Sequence, residues 1–174
     1  DVISFGDDIG HHLSLRDFTV NALAIPLVGW LGGDSLVGNL LDPFGGFGDL
    51  EVSLLKSVSS EVFKDDPLRL LRGVRLSAQL GFSLEGKTQS IMARDSHLLV
   101  NVAQERVRDE LLKTLAEPSA TQHLRLMDKL SLLGYVIPEL EDARGVVQPN
   151  EHYWDVFNHS IETPSNVELV TEPS

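Results

Sequence analysis

The sequence has 174 residues, a formal net charge of −12 and no cysteine. The absence of cysteine excludes disulfides and thiolate metal sites, and no apolar run approaches the ~18 residues of a membrane-spanning helix. The acidic charge argues against a simple nucleic-acid coat protein, because phosphate binding draws on a basic surface. We therefore predict a cytoplasmic protein without membrane contact, built as one medium domain or two small ones.

The acidic residues are concentrated towards one end of the sequence. Residues 137–174 carry eight acids and one base, a net charge of −7, which leaves −5 for residues 1–136. A local basic surface on an acidic protein is therefore compatible with the composition. The sequence begins without methionine, and its last twelve residues, TPSNVELVTEPS, have no periodic pattern. We interpret them as a frayed or linker segment, and the sequence as a piece of a longer protein.

The predicted elements change from mixed α/β to all-helical near residue 57. DVISF (1–5) is typical of a short strand, and SLRDFTVNALAIPL (14–27) of a helix capped by its first serine that runs into an extended segment. The glycine-rich stretches GWLGGDSLVGN and DPFGGFG predict turns. The remainder predicts helices that stop at Gly81, Gly134 and Pro138. The predicted helical ranges are 58–64, 67–80, 87–99, 102–116, 119–133 and 151–162.

FKDDPLRLLRGVRLSAQLGF (63–82) places three arginines at every third position of a predicted helix. Asp66 and the proline after it are typical of an N-cap and a first helical residue. Arg69, Arg72 and Arg75 fall within an arc of roughly 120°, while apolar residues occupy more than one other side. A helix buried on several sides must give its arginines either acidic partners in the core or an anionic ligand.

Asp66 and Arg69 are three residues apart and therefore project from the same turn. A carboxylate accepts hydrogen bonds and a guanidinium donates them. The Watson–Crick edges of cytosine and adenine present an amino donor beside a ring-nitrogen acceptor, whereas guanine and uracil turn a carbonyl towards the carboxylate, which is costly when buried. If the pair faces a ligand, it selects C and A. The alternative is that Asp66 serves only as a helix cap.

Arg16, Asp17 and Asn21 form a second polar group, close to a predicted helix start. A helix N-terminus favours anions, so an arginine there can reach a triphosphate while an aspartate accepts from a sugar hydroxyl. The alternative is a purely structural capping pair of Ser14 and Asp17.

Four motifs occur in a characteristic order: LRDFTVNALA (15–24), LLDPFGGFGDL (40–50), FKDDPLRLLRGVRLSAQLGF (63–82) and ERVRDELLKTL (105–115). Together they resemble the family of class II tRNA nucleotidyltransferases and bacterial poly(A) polymerases, over most of residues 1–140. The resemblance implies an α+β, mostly α fold. Its parts are the end of a DNA polymerase β-like nucleotidyltransferase head, a helical neck and a helical body.

The resemblance also implies a division of the chain and a set of partners. The head segment would be 1–57, the base-selecting neck 58–118, and the start of the body, of a truncated HD type, 119–174. Family members transfer C or A to the 3′ end of tRNA or other RNA without a nucleic-acid template, using two metal ions held by carboxylates. We therefore expect CTP and ATP as substrates, an RNA 3′ end as partner and Mg²⁺ as cofactor.

The roles of individual residues follow from the matching motifs. Asp66 and Arg69 would read the base, and Arg16 and Asp17 would contact the triphosphate and the ribose. Asp1, in the predicted DVISF strand, would be a further catalytic carboxylate. The full set of residues that the resemblance makes nucleotide-binding is Arg16, Asp17, Asn21, Asp66, Arg69 and Arg72.

The sequence departs from the family pattern at several points. The GG.VRD phosphate loop and the D-x-D carboxylate pair, which hold the principal metal ions, are not among these residues. We therefore expect this piece alone to be catalytically inactive. Leu15 stands where the family usually has a second arginine, His12 where an aspartate often sits, and Asp65 where a glutamate is usual.

EHYWDVFNHSI (151–161) places His152, Asp155 and His159 on one helical face. The segment resembles the first helix of HD phosphohydrolase domains, with His159 as the first metal ligand of such a site. We favour a structural or surface role, because one helix supplies too few ligands. Two further functions stay open beside the nucleotidyltransferase: an HD phosphohydrolase, and a non-catalytic RNA-binding or oligomerising helical module.

Overall fold

The computed structural model describes residues 8–26, 39–146 and 155–171, with side chains as far as residue 164. The predicted strand DVISF with Asp1, most of the stretch GWLGGDSLVGN, and His152 lie outside the described residues.

The described residues are predominantly helical, which confirms the predicted mostly α fold. Within the described ranges, the 3₁₀ helices Thr19–Asn21 and Ser96–Asn101 and the short strands β1 (Leu54–Leu55) and β2 (Ser83–Leu84) accompany the α-helices. The α-helices are, in chain order, α1 (Ile9–Ser14), α2 (Gly46–Glu51), α3 (Val62–Asp65), α4 (Arg69–Leu80), α5 (Gly86–Asp95), α6 (Gln104–Leu115), α7 (Ala120–Lys129), α8 (Leu133–Val136), α9 (Pro138–Asp142) and α10 (Val156–Thr171).

The two strands flank the central helix. β1 and β2 are parallel, with Leu54 opposite Ser83 and Leu55 opposite Leu84. The chain between them forms α3 and α4, so the short sheet and α4 make one parallel crossover unit. Because parallel strands are normally covered by such a helix, the pairing positions α4 against the sheet.

The segment before β1 is attached to the helices by backbone pairing and by aromatic packing. Phe18 and Ser57 form an antiparallel bridge, and the Thr19 amide donates to the Lys56 carbonyl at 2.9 Å. The Phe18 ring is fully buried with its centroid 6.2 Å from that of Phe63. The loop that carries the LRDF motif is therefore held against α3 and α4.

One hydrophobic core contains side chains from Phe18 to Ile161. α4 contributes Leu70, Leu71 and Val74, all fully buried, as expected for a helix covered on more than one side. The division of the chain into head, neck and body stays a prediction.

Two predicted helix starts are wrong in position. α4 begins at Arg69 rather than 67, because the Asp66 side chain caps a preceding turn: its Oδ1 accepts from the Leu68 amide at 3.2 Å. Ser14, predicted as an N-cap, is instead the last residue of α1, whose cap is Asp8. The polar group that follows Ser14 therefore does not lie at the start of an α-helix.

Helix ends were predicted with mixed success. Gly81 ends α4 with φ at 66°, which confirms the prediction. Ser131 adopts the same left-handed region, with φ at 57°, and the Leu132 amide donates to the Met127 carbonyl at 2.9 Å. This serine ends α7, so the predicted single helix over 119–133 is wrong. Gly134, predicted as a stop, lies inside α8.

The C-terminal helix is longer than predicted. α10 extends to Thr171 with Pro164 inside it, so the prediction of a frayed segment is wrong for residues 163–171. Phe157 and Ile161 are fully buried and anchor the helix in the core, which shows that tertiary packing outweighs the weak local pattern. Among the described helices, none combines the length and the apolar character needed to cross a membrane.

Gly46, the first residue of α2, lies directly against the 3₁₀ helix. A Cβ atom at this position would overlap the carbonyl oxygen of Thr19, so a larger residue must push the two segments apart. Gly46→Ala should therefore lower the free energy of unfolding by roughly 1–3 kcal/mol. Urea denaturation followed by circular dichroism measures this difference.

Gly48→Ala is the matched control, because a Cβ at Gly48 in the same helix meets no atom within 4 Å. This variant should leave stability unchanged or raise it by up to about 1 kcal/mol, since alanine is the better helix former. Equal destabilisation of the two variants would contradict the close approach at Gly46.

Candidate nucleotide-binding site

Arg69 joins the start of α4 to the loop after α1. Its Nη2 donates to the Leu15 carbonyl at 2.7 Å, and its Nη1 donates to the Val62 carbonyl at 3.2 Å. Two backbone acceptors on different segments fix the plane of the guanidinium, while Nε and one hydrogen on each Nη remain available. The LRDF and DDPLR motifs, 54 residues apart at this contact, therefore meet in space.

Asp17 is 4% exposed and uses both carboxylate oxygens. Oδ2 accepts from Arg72, at 2.9 Å from Nε and 2.6 Å from Nη2. Oδ1 accepts from the Asn21 side-chain amide at 3.1 Å and from the Phe18 backbone amide at 3.0 Å. Burial by itself raises the pKa of Asp17, but these hydrogen bonds and the charge of Arg72 outweigh burial and bring the pKa below its usual value.

The location predicted for Asp17 at an α-helix N-terminus is therefore wrong. Asp17 lies in the turn after α1 and precedes the 3₁₀ helix Thr19–Asn21. The physical reason is tertiary: its carboxylate is drawn inward by Arg72 of α4, and no local sequence signal reports that partner.

Asp66 is the carboxylate of the site that still has unused hydrogen-bond acceptor positions for a ligand. Its side chain is 35% exposed, and each oxygen accepts one hydrogen bond: Oδ1 from the Leu68 amide at 3.2 Å and Oδ2 from Nη2 of Arg106 at 3.2 Å. Since a carboxylate offers about four lone-pair sites, roughly half of them remain. Arg106 belongs to α6, so a neighbouring helix orients the carboxylate.

Arg16 is half-buried, and its guanidinium makes no hydrogen bond or ion pair with any residue that the structure describes. It follows Leu15, the residue whose carbonyl binds Arg69. An uncommitted cation thus adjoins the segment that Arg69 holds in place. Asn21, by contrast, donates a hydrogen bond from its side-chain amide to Asp17.

Arg75, the third arginine of α4, is more buried than Arg72. Its Nε donates to Oε2 of Glu110 at 2.7 Å, and Glu110 is buried. Burial alone raises the pKa of Glu110, but the hydrogen bond and charge of Arg75 outweigh it, and the pKa falls below its usual value. The core ion-pair interpretation therefore holds for Arg72 and Arg75.

Sequence reasoning missed Arg106 and Glu110 as partners of the arginine-bearing helix. Both lie in ERVRDELLKTL at a spacing of four residues, which places them on one face of α6. That spacing is a signal that could have found them, since α6 packs along α4.

No three His, Asp or Glu side chains within the described part of the chain form a group that could hold a metal ion. Asp155 caps α10: its Oδ1 accepts from the Asn158 amide at 2.8 Å and its Oδ2 from the Gly145 amide at 3.1 Å. His159 lies on the exposed side of that helix. Among the described residues there is therefore neither a Mg²⁺ site nor a complete HD-type site. The Mg²⁺ expected from the resemblance, held mainly by carboxylates outside this sequence, stays a prediction.

Comparisons with known proteins agree with the motif pattern. Residues 81–144 match a family model described as "Probable RNA and SrmB- binding site of polymerase A". An A-adding tRNA nucleotidyltransferase of Deinococcus radiodurans is 35% identical over 167 residues, which are 93% of this chain and 36% of the relative. A CC-adding tRNA nucleotidyltransferase of Geobacter sulfurreducens is 37% identical over 131 residues, 75% of this chain and 29% of the relative.

A solved structure extends the agreement to the fold. The Bacillus stearothermophilus CCA-adding enzyme in complex with CTP superimposes with a TM-score of 0.66 and 30% identity, over 76% of this chain and 32% of that chain. The chain thus spans about a third of the length of the relatives it matches. The fold and the motifs are those of a helical segment of these relatives. The family model, the relatives and the solved structure all support a fragment of the class II tRNA nucleotidyltransferase family, which confirms the resemblance carried by the four motifs.

Asp17→Asn tests the buried ion pair. The substitution removes the negative charge that Arg72 faces, and we expect the free energy of unfolding to fall by about 2 kcal/mol at neutral pH. Because the folded pKa of Asp17 is lowered, its stabilisation is complete above the unfolded value near 3.8 and is lost as the pH falls through the folded pKa. Urea unfolding between about pH 6 and pH 3 should therefore show the gap between wild type and variant narrowing in acid.

Asp109→Asn provides the control for this pH series. Asp109 is an exposed carboxylate on α6 that has no hydrogen bond or ion pair within the described residues, so its neutralisation should change stability by less than about 0.5 kcal/mol. A constant gap between wild type and Asp17→Asn across the series would show that the ion pair does not stabilise the fold.

Proposed function

We propose that the chain is the nucleotide-selecting part of an enzyme that adds C, A or both to the 3′ end of tRNA without a nucleic-acid template. The observation that carries the proposal is the hydrogen bond from Arg69 to the Leu15 carbonyl, because it joins the two motifs that the resemblance assigns to the incoming nucleotide. The relatives support the substrates, since they are named A-adding and CC-adding tRNA nucleotidyltransferases and a CCA-adding enzyme in complex with CTP.

Base selection is the role proposed for Asp66 and Arg69. The free lone pairs of Asp66 accept the exocyclic amino group of cytosine or adenine, and the remaining N–H groups of Arg69 donate to the adjacent ring nitrogen. Two backbone carbonyls hold Arg69, and Arg106 holds Asp66, so the pair is preorganised and loses little entropy when a base binds. Guanine and uracil would bring a carbonyl oxygen against the carboxylate.

Arg16 is the residue proposed to contact the triphosphate. Its guanidinium has no partner among the described residues, and an arginine offers a bidentate fork that suits phosphate oxygens. The ribose contact of Asp17 stays a prediction, and it requires Arg72 or Asn21 to release an oxygen that each now holds. We assign Arg72 and Asn21 to orienting Asp17 in the absence of nucleotide.

The remaining parts of the proposal depend on the family resemblance and the composition. Mg²⁺ would serve the transfer step through carboxylates other than those described, and a cytoplasmic location stays a prediction. Catalytic inactivity of this piece by itself also stays a prediction.

Titration of CTP, ATP, GTP and UTP into the chain tests base selection. We expect weak binding of CTP and ATP, and at least about ten-fold weaker binding of GTP and UTP, since one unsatisfied buried polar contact costs roughly 1–3 kcal/mol. Asp66→Ala should abolish this discrimination. Isothermal titration calorimetry, or nucleotide incorporation by the full-length enzyme, measures it.

Asp109→Ala, which removes an exposed carboxylate from α6, should preserve the discrimination. Equal affinity of the wild-type chain for all four nucleotides would defeat the proposal. So would an Asp66→Ala variant that unfolds like the wild type and keeps the preference for C and A.

Arg106 is proposed as a positioning residue for Asp66. Its ion pair with Oδ2 is 3.2 Å long and partly exposed, so Arg106→Gln should cost little stability. The freed carboxylate should discriminate roughly three-fold less well between CTP and UTP, in line with the modest free energy of exposed ion pairs. Arg108→Gln, on the same helix without a described partner, should leave discrimination unchanged; an identical effect of the two variants would exclude the positioning role.

A further inference from the structure

A cleft of about 390 Å³ lies where α7, α8 and α9 meet, in elements other than those of the candidate nucleotide-binding site. Pockets for small ligands usually measure roughly 300–1,000 Å³, so the cleft has room for one nucleoside-sized group. Its lining includes Asp128, Ser131, Gly134, Tyr135, Glu141 and Arg144.

Arg144 supplies the cleft with a rigid planar surface. Its Nη2 donates to Oδ1 of Asp128 at 2.6 Å and to Oε1 of Glu141 at 2.8 Å, and its Nε donates to Oε2 of Glu141 at 2.9 Å. The guanidinium carbon lies 3.8 Å from the centroid of the buried Phe157 ring. One face of the guanidinium is thus stacked on an aromatic ring, and the side chain, which lines the cleft, is still 43% exposed.

The charges of the cleft select against a phosphate. Asp128 and Glu141 carry two negative charges and Arg144 one positive charge, so the lining has a net charge of −1. Arg144 already donates three hydrogen bonds to those carboxylates. An anion would meet repulsion, whereas an uncharged group with amino donors would find acceptor oxygens beside a flat cation.

Two residues of α8 shape the opening. Leu133 is fully buried, while Tyr135 is 36% exposed and lines the cleft. A Cβ at Gly134 would lie 2.9 Å from Cγ of Glu141, so the absence of a side chain lets the Glu141 carboxylate approach α8. α8 therefore contributes an aromatic residue to the lining, and α9 brings the acceptor Glu141 close against α8.

We propose that this cleft holds an unpaired nucleobase of RNA, stacked on the guanidinium of Arg144 beside Tyr135, with its exocyclic amino group towards Asp128 and Glu141. Proteins recognise single-stranded RNA in this way, by stacking bases on aromatic rings or arginine planes and by hydrogen bonding to their edges. The inference rests on the proposed function, which makes RNA a partner. It adds a second base-binding position and predicts a preference for adenine and cytosine over uracil.

Nucleoside titrations of the full 174-residue chain, followed by amide chemical shifts, test the cleft. Adenosine and cytidine should shift the amides of Gly134, Tyr135 and Arg144, and uridine should bind more weakly. Tyr135→Ala should weaken adenosine binding by about ten-fold, as expected for loss of one stacking contact, while Tyr135→Phe should stay within about two-fold. Phe47→Ala, which removes a ring of similar exposure (38%) from α2, should change nothing.

Asp66→Ala separates this inference from the proposed function. Adenosine shifts at Gly134 that persist in Asp66→Ala support the cleft whatever becomes of base selection at Asp66. Absence of shifts at millimolar adenosine, or equal losses in Tyr135→Ala and Phe47→Ala, would overturn the inference. Shifts caused by inorganic phosphate or by N-acetyl-lysine amide in place of nucleosides would also overturn it, and would assign the cleft to an anion or to a basic peptide.

Discussion

The ion pair between the buried Asp17 and the partly exposed Arg72 is the constraint on which the candidate site depends. It ties the loop after α1 to the first turn of α4, and Asp17 is almost completely withdrawn from solvent. A buried carboxylate that loses its partners is strongly destabilising, so the loop cannot shift without breaking this contact. The Leu15 carbonyl is thereby kept in the position at which Arg69 binds it.

The three arginines of α4 have different roles: Arg72 and Arg75 stabilise the fold, and Arg69 is the one proposed to bind the ligand. Arg72 neutralises the buried Asp17 in the loop after α1, and Arg75 neutralises the buried Glu110 of α6. Among the described residues, Arg69 is held by two backbone carbonyls, which occupy two of its five N–H donors without cancelling its charge. The result is a helix held on two sides. Arg69 at its start and Asp66 in the turn before it keep unused hydrogen-bonding capacity.

Ion pairs between arginines and carboxylates also connect the C-terminal helices. Arg144 is held by Asp128 and Glu141 and rests on Phe157, as Arg125 of α7 is held by Glu162 and Asn158 of α10. These pairs tie the last helices together in a region that is strongly acidic in sequence. An acidic chain can therefore present local sites for uncharged base edges, because recognition by stacking and by amino donors does not require a basic surface.

Local signals in the sequence were sufficient for much of the fold and for the family. The glycine C-cap at Gly81, the periodic arginines after Asp66 and the helical rear are short-range features, and motif order alone indicated the nucleotidyltransferase family. Such features are readable because capping, side-chain periodicity and helix propensity act over a few residues.

The tertiary structure decided which side chains meet. The partner of Asp17 lies 55 residues away, that of Asp66 40 residues away, and Ser131 takes the left-handed conformation that local rules assign to glycine. The predicted single helix over 119–133 is two helices in the structure. Ser131, in the break between them, and Leu133, at the start of the second, both line the cleft at Arg144. Contacts of this kind are set by the burial and charge of distant residues, and no pattern confined to a short stretch of sequence contains them.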